Sequence, residues 1–481
     1  MPYVFHGGIY PDLHGDTKNT GILEMTPPGT LMVPMLSCGV NAGNHYRRDY
    51  EPAKPIVRVG ERVLRGQRIA DGEKGKSCPV FSPVSGHVSD IGTMSLPDGR
   101  VTPFVQIYND SEMTLFHGTE NMRMNKRLSE CTFEEIALLI RRAGIVDTGR
   151  GNVPLADKLE LASGRVECCI LNCIEDEPYI SSDEKLLMET PETVLNGMKI
   201  VLKALGLREG IVALGENRPN LIKHLRRAIG HDKLFSIRVL KSKYPAGDER
   251  LLIYALARHE LPLGKTPYDS GFMTVGPSAL ADVYRTFVTG VPPLSRVLTV
   301  AGDCVDGSYT VKAPIGTSFS DIIEFVGGVK EEKEPSSIIE GGPLRGHGIF
   351  PDKVNEFVVT NLTSGVLVMS EGSISRKKEY ACINCGRCAD VCPMMLSPHH
   401  IYRLSFDCRY DEAVSEGAAL CIGCGSCTYV CPGGIDVSAY ILHAADAVRE
   451  HNDINRFIDP SFDGSTEIID EAEPEAGNEQ N

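Results

Sequence analysis

The stretch CINCGRCADVCP, residues 382–393, places cysteines at 382, 385, 388 and 392 and closes with a proline. A second run, CIGCGSCTYVCP at 421–432, repeats the pattern with Cys421, Cys424, Cys427 and Cys431. Three cysteines spaced by two residues can wrap one face of a cube of iron and sulfide. The fourth, at the start of a helix, points away and ligates the neighbouring cube. The spacing therefore assigns Cys382, Cys385, Cys388 and Cys431 to one [4Fe–4S] cluster, and Cys421, Cys424, Cys427 and Cys392 to another. Structural zinc sites use separated pairs of cysteines instead. Small residues between the thiols, Gly386, Gly423, Gly425 and Ser426, let backbone N–H groups approach the sulfurs and tune the potential. An α-helical di-cluster ferredoxin domain is expected over 376–452.

Working outward, a chain of 481 residues suggests two to four domains. Hydrophobic residues make up 42%, enough for real cores, and 48 Gly with 30 Pro imply many turns. No apolar run reaches the roughly 18 residues of a membrane span. The start, MPYVFHGGIYPD, shows neither the basic nor the apolar part of a signal peptide. Thiols of a protein that is not exported stay reduced, which favours metal or redox chemistry over disulfides. The net charge of −15 argues against nucleic acid as a partner, and residues 453–481 read as an acidic, disordered tail. The other eight cysteines fit no ligand spacing. Cys168, Cys169 and Cys173 read as core residues of a strand; Cys38, Cys78, Cys131, Cys304 and Cys408 are scattered. His399 and His400 follow Pro398 at a helix start with Ser397 as N-cap, and read as solvated helix residues.

Three units precede the cysteine runs, making the chain a multidomain α/β and β protein. Residues 55–90 alternate β-branched side chains with glycine turns, a pattern similar to the barrel-sandwich hybrid of biotinyl and lipoyl carriers. Gly75 stands where a carrier has its modified lysine, so a scaffold without a prosthetic group is expected over 1–125. The runs at 166–174, 210–216 and 235–243 read as buried strands alternating with helices, giving a Rossmann-like parallel sheet over 126–258. Residues 259–375, with VLTVAGDCVDGSYTVKAPIGTSFSDIIEFVGG, suit a β-grasp (SLBB-like) module and a following β segment.

The order HGGIYPD, barrel-sandwich segment, α/β unit, YPAGDE, β-grasp, GGPLRG and two ferredoxin runs resembles RnfC. That is the peripheral iron–sulfur subunit of the Rnf ion-pumping membrane complex. The resemblance implies two [4Fe–4S] clusters, ferredoxin (direct or through a neighbouring subunit) and other Rnf subunits as partners, and a place on the cytoplasmic face of the membrane. It further implies Na⁺ or H⁺ translocation coupled to electron transfer, and a likeness to the flavin-bearing NADH subunit of respiratory complex I.

The resemblance breaks where nicotinamide chemistry belongs. The family's flavin loop reads close to GLGGAGFPT, and here the stretch is DTGRGNVPL, 147–155. Asp147, Arg150 and Asn152 replace glycines that let a backbone curl against phosphate. Asp147 would set a carboxylate near that phosphate, a repulsion of about 1–4 kcal/mol at 4 Å; Arg150 would partly offset it. The motif NGAECEPYI becomes NCIEDEPYI from Asn172, keeping Glu175 and Glu177 but introducing Cys173 and Asp176. YPQGGEK becomes YPAGDER, with Asp248 for glycine. An FMN/NADH-type site would use Gly149, Arg150, Gly151, Glu175 and Glu177, and the departures imply that it is lost or weakened. The expected function is a cluster relay in a ferredoxin-linked, ion-translocating oxidoreductase, with a membrane carrier or cytochrome as acceptor. The alternative is an FMN-containing ferredoxin:NAD⁺ oxidoreductase subunit with a working NADH site.

Overall fold

The computed structural model describes residues 3–13, 21–36, 51–74, 77–147, 153–262, 265–373 and 378–458. Alternation along the first strands puts Leu31, Val33, Val63, Ile69, Val88, Val105 and Ile107 on inner faces. They join a four-stranded antiparallel sheet, ordered Thr30–Pro34, Val101–Asn109, Gly86–Ser95 and Arg62–Val63, to a three-stranded one of Lys54–Pro55, Arg68–Asp71 and Val80–Phe81. Gly75 lies outside the described residues; its neighbour Lys74 pairs with Glu160 at 2.8 Å. The segment ahead of these strands belongs elsewhere. Leu23–Glu24 pairs with Tyr309–Pro314, Tyr3 bridges to Leu240 and Ile9 to Tyr244, so this segment ties the first strands to later parts of the chain.

In the α/β unit, Cys168–Asn172, Gly210–Gly215 and Phe235–Leu240 form strands as their apolar runs indicate, with Cys169 and Cys173 buried. A fourth strand, Phe272–Val275, falls inside the range read from sequence as the next module. It pairs in parallel with Cys168–Asn172 and gives the order Phe235–Leu240, Gly210–Gly215, Cys168–Asn172, Phe272–Val275. The helix Pro277–Thr289 then packs on Pro191–Leu205, with the backbones so close that a Cβ on Gly197 would stand 2.0 Å from Leu280 O. Burial of these two elements carries the unit through Thr289 rather than ending it at 258.

Beyond it, the hairpin Ser295–Ala301/Tyr309–Pro314 is followed by the helix Phe319–Phe325. The edge hairpin Pro335–Glu340/His347–Ile349 comes next, and Gly365–Ser370 inserts between the two hairpins, parallel to Ser295–Ala301. Phe319, Ile322 and Ile323 cover one face of this sheet. The cysteine runs lie among short helices, Arg387–Asp390 and Ser426–Tyr429, enclosed by Pro398–Phe406 and Val437–Ile458. The last helix overruns the boundary expected at 452. Among the described residues no helix is long and apolar enough to cross a membrane.

Candidate functional site

The two cysteine runs fold back on each other so that each closes the other's site. Cys382, Cys385 and Cys388 line one small cavity together with Cys431. Cys421, Cys424 and Cys427 line a second together with Cys392. Gly423 N donates to Cys421 Sγ at 3.4 Å, and Leu396 N to Cys392 Sγ at 3.4 Å. Ser426, buried, holds its Oγ 3.4 Å from Cys424 Sγ. His399 is not the solvated residue its sequence suggests. It lines the first cavity beside the thiols, and its Nδ1 is buried without a hydrogen-bond partner, because the helix from Pro398 turns that side chain inward.

The second thiol cavity is joined to a larger one. Tyr244, 1% exposed, donates from its hydroxyl to Cys424 O at 2.7 Å, and the same hydroxyl is 3.2 Å from Glu177 Oε1. Glu177 also accepts from Leu344 N at 3.2 Å. Both Glu177 and Asn172 border a cavity of about 390 Å³. It opens at the carboxyl ends of Cys168–Asn172 and Phe272–Val275, where chain order in the sheet switches direction. The loop Leu96–Arg100 and the turn 340–347 close its other sides.

Within this cavity the sequence-derived residues separate. Gly149, Arg150, Gly151 and Asn152 lie outside the described residues. Asp147 is 3% exposed and meets a lysine that sequence reading passed over: Lys158 Nζ is 2.8 Å from Asp147 Oδ2 and donates to Thr274 O at 2.7 Å. Burial opposes the charge on Lys158, but Asp147 outweighs it and holds the ammonium's pKa above its usual value. The lone, phosphate-repelling carboxylate expected at 147 is therefore corrected to one half of a neutral pair. Gly276 N adds a hydrogen bond to its other oxygen at 3.0 Å.

Glu175 is also committed to the protein. Its carboxylate accepts from Asp183 N and Glu184 N at 3.0 Å each and from Ser182 Oγ at 3.1 Å, filling the N-terminus of the helix Ser182–Glu189. Burial pushes Glu175 up to about 7, and does the same to Glu177 against the opposing pull of Arg345. Of the substituted positions, Asp176 borders the cavity and accepts from Gly247 N at 2.8 Å. Asp248 instead caps the helix Glu249–Ala257 through Arg250 N and Leu251 N. Arg345, also passed over, borders the cavity with its guanidinium 5.2 Å from the Tyr244 ring centre. Nothing local marks Lys158, and although Tyr244 and Arg345 lie in YPAGDE and GGPLRG, their partners are distant in sequence.

Comparison with known proteins agrees with this layout. Residues 3–112 match the RnfC barrel sandwich hybrid domain, 140–285 the Nuo51 FMN-binding domain and 378–435 the 4Fe-4S dicluster domain. The dicluster match and the two thiol cavities give the chain two [4Fe–4S] clusters. The subunit designated C in the Na⁺-translocating ferredoxin:NAD⁺ oxidoreductase complex of Acetobacterium woodii is 32% identical over 417 residues, covering 86% of this chain and 90% of that protein. Its counterpart in the proton-translocating ferredoxin:NAD⁺ oxidoreductase complex of Clostridium ljungdahlii is 32% identical, covering 86% of each chain. The subunit of the same letter in the ion-translocating oxidoreductase complex of Vibrio cholerae is 31% identical, over 82% of this chain but 49% of its own length. Among solved structures, a chain of an NAD⁺-reducing [NiFe]-hydrogenase in the H2-reduced state superposes with a TM-score of 0.45 at 15% identity, covering 69% of this chain and 67% of its own. With relatives of this identity aligned over most of its length, and an RnfC model over its first domain, the chain belongs to the RnfC family.

Proposed function

We propose that this chain is the electron-relay subunit of an Rnf-type membrane complex, taking electrons that originate in reduced ferredoxin and passing them through two [4Fe–4S] clusters. Cys382, Cys385, Cys388 and Cys431 hold one cluster; Cys421, Cys424, Cys427 and Cys392 hold the other. The observation that carries this reading is the three-plus-one grouping of thiols around each small cavity. A bound [4Fe–4S] cluster supplies reversible one-electron transfer. The chain's own part is to exclude water, aim N–H groups at the sulfurs and tie the cluster of Cys424 to the large cavity through Tyr244. The subunit sits peripherally on the cytoplasmic face, held by its partner subunits, and the complex couples electron flow to Na⁺ or H⁺ movement. In this reading the α/β unit is Rossmann-like and the following sheet a β-grasp of SLBB type, supported by the parallel order of the first and the two hairpins of the second.

The flavin/NADH-type site is degenerate in this reading, so the acceptor is a membrane carrier or cytochrome. Support comes from the lysine beside the glycine-loop position being occupied by Asp147, and from Glu175 being spent on a helix end. A second reading, a live FMN/NADH site, is favoured by the match of 140–285 to an FMN-binding domain and by the size of the cavity.

Protein made without oxygen should contain about eight irons and eight sulfides. Cys392→Ala should alter the cluster of Cys421, Cys424 and Cys427 in its electron paramagnetic resonance. A change confined to the cluster of Cys382 would refute the crossed ligation. Stoichiometric FMN that bleaches under NADH would favour the second reading.

A further inference from the structure

Arg345 is placed unlike the cavity's other charged groups. It sits in the turn 341–346 between Pro335–Glu340 and His347–Ile349 and borders the 390 Å³ cavity, yet its Nε and Nη2 are buried without a hydrogen-bond partner. A guanidinium keeps its charge and its five donors at every accessible pH, so neutralisation offers no way out. Asp248, Glu177 and Asp176 lie near enough to balance that charge at a distance. Each is already held by backbone: Asp176 by Gly247 N at 2.8 Å, Glu177 by Leu344 N at 3.2 Å, Asp248 by Arg250 N at 3.1 Å. The Tyr244 ring, 5.2 Å away, engages the guanidinium through its π system and accepts none of its edge N–H bonds. What is missing is an acceptor with two oxygens, not simply a negative charge.

We propose that Arg345 anchors an oxyanion, the carboxylate or phosphate group of a small molecule, in the large cavity. A carboxylate or phosphate matches its unpartnered Nε and Nη2 edge with two parallel hydrogen bonds. The site lies next to a cluster ligand, since Tyr244 links the guanidinium to Cys424 O. An anion there offsets the positive charge beside that cluster and lowers its reduction potential. The inference goes beyond the relay reading and stands apart from it: the relay depends on cluster content, this on ligand binding.

The test uses the full chain with both clusters in place, titrated separately with acetate, inorganic phosphate and FMN. Melting temperature and the midpoint potential of each cluster are followed. Acetate or phosphate should raise the melting temperature saturably and lower the potential of the cluster of Cys421, Cys424 and Cys427. In Arg345→Met the affinity should fall at least tenfold, while the variant melts no lower than the parent in anion-free buffer. Arg345→Lys, which keeps the charge and loses the fork, should fall between. If FMN binds and Arg345→Met removes that binding, the oxyanion is the flavin's phosphate; acetate or phosphate binding alone assigns a simpler ligand. The proposal is overturned if none of the three probes binds, if binding is unchanged in Arg345→Met and Arg345→Lys, or if Arg345→Met only lowers stability.

Discussion

Asp147 shows how one substitution changes the meaning of its neighbour. With side-chain exposures of 3% and 7%, Asp147 and Lys158 neutralise each other inside the protein. Asp147→Gly restores the family's residue but strands a buried ammonium, and should lower unfolding free energy by about 3–5 kcal/mol. Adding Lys158→Met should recover most of that loss in the same denaturant titration, since an apolar replacement of both partners is close to neutral. Glu177 carries a second residue-scale consequence. Its folded-state pKa, about 7, lies above the ordinary carboxyl value of 4.5. The stability that goes with its proton is complete below the ordinary value and is lost as pH rises through about 7. Glu177→Gln cannot titrate, so its stability relative to the parent should improve between about pH 5 and about pH 8, read from denaturation midpoints. A constant difference across that range would place the raised pKa elsewhere. Neither consequence is visible in sequence. Asp147 is 11 positions from Lys158, but the pair also needs Thr274 O, 116 positions beyond that lysine, to hold the ammonium in place.

At the scale of elements, the contact of Pro191–Leu205 with Pro277–Thr289 is set by Gly197. Gly197→Ala puts a methyl against the Leu280 carbonyl, and should destabilise by about 1–3 kcal/mol as the helices separate. Thermal unfolding would measure it; an unchanged midpoint would mean that the two helices slide freely. The same contact explains where sequence reading stops. The runs CCILN, GIVALG and FSIRVL announce strands because each is largely apolar, β-rich and flanked by helical periodicity, although FSIRVL, with Ser236 and Arg238 at the sheet edge, is only half-buried. FMTV is four residues long and is followed at once by Gly276 and Pro277, so only its pairing with Cys168–Asn172 makes it part of the parallel sheet. The cysteine runs are legible for the opposite reason: their spacing is local, and it groups the same thiols that line each small cavity. The large cavity has no such code. Its walls come from many separate parts of the chain, and its charged members are defined by partners up to 167 residues away, as for Glu177 and Leu344.

Across the whole molecule, the N-terminal arm joins parts that the domain order keeps apart. Gly8 N donates to Val391 O at 2.7 Å, and Gly7, at φ of 62°, leaves 2.5 Å between a would-be Cβ and Cys392 O. Gly7→Ala should detach the arm, because the left-handed backbone alone costs about 1–2 kcal/mol for a residue with a side chain. Faster cleavage near the N-terminus in limited proteolysis, with an altered signal from the cluster of Cys392, is the expected result. Equal cleavage rates would show that the arm yields without strain. The arm also imposes an order on biosynthesis. The arm precedes its seat at Val391 by about 380 residues, so at synthesis rates of about 5–20 residues per second that seat is made tens of seconds later. Through that interval Phe5 and Ile9 have no burial partner in the cysteine domain. The backbone at Val391 and Cys392 thus stays uncovered until the arm comes down, and a segment made before the cysteine runs is locked only after them.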